Sequence, residues 1–228
     1  MKKVLFLLIA ASLVLGLTAY ADDEEGRLEK RVDNSVRVIN EIMEMPEKGI
    51  PKNLLEKCSA IAIFPTTLKG GFIWGGRYGQ GVVLAKDKAT GQWSPPAFFT
   101  IGEVSWGLQI GGQAIDLVLV IMGDNALKGL LKDNFTLGGD ASVAAGPIGR
   151  DTSADTDLLL KGGIFSYSRA KGLFAGATLK GAVMTPNNVA NRTYYGDDVS
   201  AKDILVGAKV QAPANAQQLV DALLKYSK

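Results

Sequence analysis

The sequence predicts an α+β fold: one domain with a curved, mainly antiparallel, glycine-rich sheet flanked by N- and C-terminal helices. Three observations predict it. Apolar residues recur at helical spacing mainly near the two ends of the chain. Between them lie apolar or alternating runs separated by Gly, Pro, Asp and Asn, with few helical patterns, which disfavours a βαβ arrangement. The 27 glycines fall inside those runs as well as between them. Glycine inside a strand weakens it, so its repeated presence there points to bulges, bends or close backbone approach, the devices that curve a sheet.

Lys2 and Lys3 precede an apolar stretch, Val4–Leu17, and Ala19-Tyr20-Ala21 has the small-x-small form of a cleavage site. Residues 1–21 are therefore expected to be a cleaved signal peptide, with residues 22–228 as the mature domain. The stretch is shorter than the roughly 20 residues a membrane span needs. Leu28, Val32, Val36, Ile39 and Met43, joined by Val38 and Ile42, then mark an amphipathic helix over about 26–45, ended by Pro46 and Gly49. Pro51 can start a short second helix through Lys57.

From Ser59 the period changes. Strands are expected at Ala60–Phe64, Gly71–Gly76, Gly81–Lys86, Ala97–Ile110 and Ala114–Met122, with the segment Lys86–Gly91 as a hairpin connection. Asp124 or Asn125 can cap a short helix over Ala126–Leu131. Further strand-like runs are Thr136–Ala145, Leu158–Ser168 and Leu173–Met184. Ser200 with Asp203 reads as a capping pair for Ala201–Val206, and Leu219, Val220, Leu223 and Leu224 share one side of a last helix over Asn215–Tyr226.

Without the leader lysines, 23 Lys+Arg face 23 Asp+Glu, so the mature chain is formally neutral. A bulk attraction to nucleic acid is not expected, and attraction to an acidic membrane must come from local patches. Cys58 stands alone, which precludes an internal disulfide, and it reads as a small buried apolar residue. Histidine is absent, which removes the commonest general base and metal ligand. The glycine clusters lack the GxxxxGK[ST] ending of a phosphate loop. Asp151, Asp155 and Asp157 lack the glycine and distal glutamate of a calcium loop. Glu103 and Asp116 sit in apolar strand patterns, but no nucleophile motif accompanies them. No catalytic residue, cofactor or metal is expected.

Two groups of cations can meet an anionic headgroup. Arg27, Lys30, Arg31 and Arg37 lie on the first helix, whose many acids leave it net acidic; its apolar arc fits either a membrane or the protein core. Lys69, Arg77, Arg150, Arg169 and Lys171 stand beside glycine-rich bends, where backbone N–H groups and arginine can hold phosphate. The aromatics Phe72, Trp74, Tyr78, Trp93, Phe98, Phe99 and Trp106 belong to the core or to an apolar rim.

Six strings in order carry a resemblance: IPKNLLEKCSAIAIFP, KGGFIWGGRYGQGVV, WSPPAFFTIGEVSWGLQIGG, AAGPIGR, YSRAKGLFAGATLKG and NRTYYG. Together they resemble the SYLF domain family. The resemblance implies a non-enzymatic module that binds phosphoinositides or other acidic lipids, in some members with actin. It also implies that several of the five bend-side cations converge. The leader adds an exported protein, periplasmic if its host is a diderm bacterium and otherwise secreted, docking on acidic phospholipid. In that compartment actin is not expected as a partner. A cell-envelope protein that binds another protein is the alternative, and a carrier that encloses one lipid is a third reading.

Overall fold

The computed structural model describes residues 2–45, 49–71, 74–106, 111–148, 163–170, 173–196 and 198–227, and side chains within these except 2–22, 71, 74, 105, 106 and 111. Helix α1, Lys2–Met43, leads to α2, Lys52–Lys57. Strands β1, Ala60–Gly71, β2, Trp74–Ala85, β3, Ala97–Trp106, and β4, Gly111–Ile121, follow as an antiparallel set. After α3, Asp124–Leu130, come β5, Phe135–Thr136, β6, Val143–Ala145, β7, Ile164–Ala170, β8, Leu173–Gly176, and β9, Val183–Pro186. The chain closes with α4, Asn188–Tyr195, α5, Ala201–Leu205, and α6, Ala214–Tyr226.

The nine strands form one sheet in the order β5-β9-β3-β2-β1-β4-β7-β6, with β8 also on β7, and only β6–β7 is parallel. Both faces of its inner half are covered, so the central strands read as unbroken apolar runs. Ile61, Ile63, Val82, Leu84, Phe98, Val118 and Val120 pack beneath α1, α2, α4 and α6. Ala62, Phe64, Val83, Phe99, Leu117 and Leu119 pack on the other face against α3, α5 and β5. Helix α1 places Leu28, Val32, Val38, Ile39 and Ile42 in the first of these cores. Its apolar arc is docked on the protein. Tyr226 ties α6 to it, donating its hydroxyl to Asn40 Oδ1 at 3.1 Å.

Strand β1 carries one extra residue near its middle. Five steps along β1 from Ile63 to Leu68 match four along β2 from Val82 to Tyr78. The surplus lies at Pro65-Thr66, where proline has no N–H to contribute and Thr66 adopts φ 57°. A positive φ at a β-branched residue is strained. Asp116 holds it, accepting from Thr66 N at 3.1 Å. The bulge crowds β2: a Cβ at Gly81 would stand 2.1 Å from Ile63 O, and one at Gly79 2.5 Å from Thr67 Oγ1. Those two positions require glycine.

Several boundaries differ from the sequence-based expectation. Gly71–Gly76 is no strand of its own; β1 runs into it and β2 starts from it. Thr136–Ala145 splits into β5 and β6, and Leu173–Met184 into β8 and β9, because turns at Gly138 and Gly181 take positive φ. Helix α3 begins at Asp124 with Gly123 as its N-cap. The NRTYYG string holds helix α4, which the sequence reading lacked. Its Asn187 side chain accepts from Ala190 N at 3.1 Å as a cap. Asn191 is buried and accepts from Phe98 N at 2.7 Å. The Ser200–Asp203 capping box is present as expected.

A candidate lipid-facing surface

Beyond the bulge, among the described residues, β3, β2, β1 and β4 continue alone: β9 pairs with β3 only up to Gly102, and β7 with β4 only from Asp116. The register of this outer end sorts its side chains. Gly102, Tyr78, Leu68 and Ala114 are cross-strand partners and share the α1 face, with Val104 two residues along from Gly102. On that face Leu68 is 60%, Tyr78 54% and Val104 79% exposed. The row Glu103, Arg77, Lys69 and Gln113 points to the opposite face.

Helix α1 crosses the sheet at the level of the bulge and leaves a groove of about 360 Å³ against it. Arg27, Lys30 and Arg31 line the helix side; Thr66, Leu68 and Tyr78 line the sheet side. Arg31 is fixed in place: its guanidinium donates to Gln80 Oε1 at 2.5 Å and lies 5.7 Å from the centre of the Phe98 ring. Burial lowers its pKa from the ordinary arginine value, against weaker opposing pulls from Tyr78 and Glu24, but an arginine remains charged. Gln80 in turn donates to the Tyr78 hydroxyl at 3.0 Å. A smaller recess of about 160 Å³ adjoins, lined by Arg27, Arg31, Gln80 and Asn187, with Glu24 as its carboxylate.

The sequence-predicted cations do not all meet. Arg27 and Arg31 share the groove, with Asp23 3.6 Å from Arg27. Lys69 and Arg77 face away from it, and the Arg77 side chain is only 8% exposed, 3.1 Å from Glu103. That contact is an ion pair rather than a directed hydrogen bond, since Arg77 Nη1 and Glu103 Oε2 make none. Arg169 is held by Asp116, at 2.6 Å, and by Glu41 of α1. It fastens the helix to β4 and β7. Arg37 pairs with Glu41 at 3.0 Å. Arg150, Lys171, Phe72 and the DTSADTD loop lie outside the described residues. The two strand carboxylates, both partly buried, are ion-pair partners, Glu103 of Arg77 and Asp116 of Arg169.

The sequence reading missed Leu68, Gln80, Thr66 and Val104 as part of one surface. A signal existed: Pro65 inside a strand run marks the bulge that turns Leu68 and Tyr78 to the α1 side. A larger cavity of about 580 Å³ lies at the far end of the strands, by Trp93, Pro95 and Ile204. Both lysines on its rim are engaged, Lys88 with Asp124 at 2.6 Å and Lys86 with the carbonyls of Leu55 and Glu56, and Asp87 accepts from Ala89 N at 2.8 Å. No helix of the described residues is long and apolar enough to cross a membrane.

Residues 102–226 match the family described as Ysc84, Las17-binding protein actin regulator. The chain belongs to this Ysc84/SYLF family. It is 33% identical over 206 residues to SH3 domain-containing YSC84-like protein 1 of Rattus norvegicus, covering 88% of this chain and 60% of that protein. The human protein of the same name is 32% identical over 206 residues, 88% of this chain and 59% of its own length. Protein YSC84 of Saccharomyces cerevisiae is 36% identical over 180 residues, 78% of this chain and 38% of its own. The chain therefore spans about 60% of the length of the mammalian relatives. Membership corrects one expectation: actin cannot be set aside as a partner, because the family is described as an actin regulator. That description names no reaction.

Proposed function

We propose that the chain is a non-enzymatic protein that docks on membranes containing acidic phospholipid, using the α1 face of the outer sheet end. One observation carries this reading: Leu68, Tyr78 and Val104 are exposed on one face, and the first two line a groove whose opposite wall bears Arg27, Lys30 and Arg31. Each apolar side chain that enters the acyl boundary contributes about 1.5–3 kcal/mol, and each cation near an acidic surface about 1 kcal/mol. Together they suit reversible peripheral docking by a chain whose mature net charge is zero. The leader supports export; N-terminal sequencing of the protein from its host should then begin at Asp22.

Co-sedimentation with phosphatidylglycerol/phosphatidylcholine vesicles tests the docking. Binding should rise with the acidic fraction, weaken with salt, and fall sharply in Leu68→Glu/Val104→Glu, whose side chains are exposed in the fold. Equal binding by this variant and the parent would overturn the reading. Family membership favours a second reading, an actin-regulatory partner, which co-sedimentation with filamentous actin would test directly.

A further inference from the structure

We infer that the ion chain Arg37–Glu41–Arg169–Asp116 is a register lock: through it, the seating of α1 decides which side chains the outer half of β1 turns toward the helix. This goes beyond the docking reading and does not depend on it.

The chain joins three elements to a fourth. On α1, Glu41 Oε2 accepts from Arg37 Nη1 at 3.0 Å and pairs with Arg169 of β7. Arg169 grips one oxygen of Asp116 on β4, Oδ2, from Nε at 3.1 Å and from Nη2 at 2.6 Å. That leaves Oδ1 for the amide of Thr66, 3.1 Å away in the β1 bulge. Arg169 therefore orients the carboxylate that holds the bulge, and Glu41 orients Arg169. The Arg169 and Asp116 side chains are 14% and 12% exposed, so little water competes for these contacts. Without Glu41, the guanidinium loses its anchor on α1 and can turn away from Asp116.

The bulge is where such a lock is needed. Thr66 is exposed, β-branched and at φ 57°, a conformation that persists only where its surroundings over-determine it. Its alternative is close by. Without the extra residue, the pairing of Ile63 with Val82 and of Phe64 with Leu117 would continue unbroken. Leu68 would then stand opposite Arg77 and Gln113 instead of Tyr78 and Ala114. All of outer β1 would change face, because the side-chain period of a strand is two. The glycines at 70–71, 75–76 and 111–112 resist this slide little, since glycine prefers neither face. Two things oppose it. Pro65 would enter the ladder opposite Gln80 and Asp116 with no N–H to give, and Thr66 would leave its carboxylate. Only the second depends on α1. A partner that lifts the last turns of α1 therefore also turns Leu68 away from the α1 face.

Amide hydrogen exchange, read residue by residue by NMR, tests the lock. The Glu41 side chain is 38% exposed and pairs with Arg169 rather than with the bulge itself, so Glu41→Gln should keep the fold. It should speed exchange of the Thr66 amide about fivefold, the upper end for a partly exposed ion pair, while Val83 and Leu119 in the inner half keep their rates. Tyr226→Phe is the control. It loosens α1 at the neighbouring Asn40 without touching the ion chain, and should leave Thr66 unchanged. Asp116→Ala removes the group that holds Thr66; a second set of cross-strand contacts should appear, with Thr67 rather than Leu68 facing Tyr78. Unchanged Thr66 exchange in Glu41→Gln overturns the inference. So does an equal acceleration in Tyr226→Phe, or one shared by Val83 and Leu119, either of which would mark a general loosening. A single, parental register in Asp116→Ala overturns it as well. Should that variant fail to fold, the Thr66 rates of the other two decide.

Discussion

The inner and outer halves of the same four strands obey different physics. Inside the bulge, Ile61, Phe64, Val82, Phe99 and Leu119 are buried on one face or the other, and helices cover both faces. Outside it, glycines alternate with exposed side chains and no described strand continues the sheet on either edge. The inner half supplies stability, whereas the outer half leaves Leu68, Tyr78 and Val104 exposed on its α1 face, free to contact something else. One extra residue in β1 marks the border.

Substitutions can break this contrast. Phe99→Ala should cost about 3–5 kcal/mol in chemical denaturation, because it leaves a cavity in the core between the sheet and helices α3 and α5. Leu68→Ser, at an exposed site in the outer half of the same sheet, should stay within about 0.5 kcal/mol of the parent. Similar losses at both would mean that the outer end is buried in solution. Glycines sharpen the same border. Gly81→Ala drives a methyl against Ile63 O and should cost about 1–3 kcal/mol, while Gly102→Ala meets nothing within 4 Å and should be near neutral in the same assay.

Reactivity gives a smaller but clean reading. Burial pushes the Cys58 thiol up to about 12, against a reference of 9.0 and weaker opposition from Lys86. At pH 8 the native protein should therefore react with a thiol reagent about a thousandfold more slowly than the unfolded chain. Comparable rates would show that the α2–β1 junction opens readily. A modest effect is expected at the edge of the body, in the α5 cap. Lys209, then the Ser200 hydroxyl and backbone, hold the Asp203 carboxyl below its reference of 3.8. A lowered folded value contributes stability that is complete above about pH 4 and is lost as the pH falls further. Ser200→Ala should flatten that acid limb slightly and cost about 1 kcal/mol at neutral pH. An unchanged acid profile would remove the capping box from the account.

The inner half was legible because burial on both faces leaves a local signature, an apolar run such as Ala60–Phe64 or Ala114–Met122 bounded by breakers. The capping box at Ser200 and the last helix were legible for the same reason: their determinants lie within one or two turns. The outer half was less so. Glycine specifies no face, and Leu68, Tyr78 and Val104 come from three strands that only the register aligns. Nor does local sequence show which cation meets which acid. Arg77 and Arg169 looked like ligands beside glycine bends, and each is paired with a carboxylate: Glu103 on the next strand for Arg77, Asp116 at a separation of 53 residues for Arg169.

By itself the sequence determined the α+β class, the amphipathic pattern of α1 but not whether it docks, the buried lone cysteine and the family resemblance. All are properties of short-range pattern or of composition. The tertiary structure decided where the bulge turns β1, which cations remain available, and that α1 lies beside an exposed apolar row. Those depend on long-range pairing, and a single-residue shift in register would have sent Leu68 and Tyr78 to the opposite face.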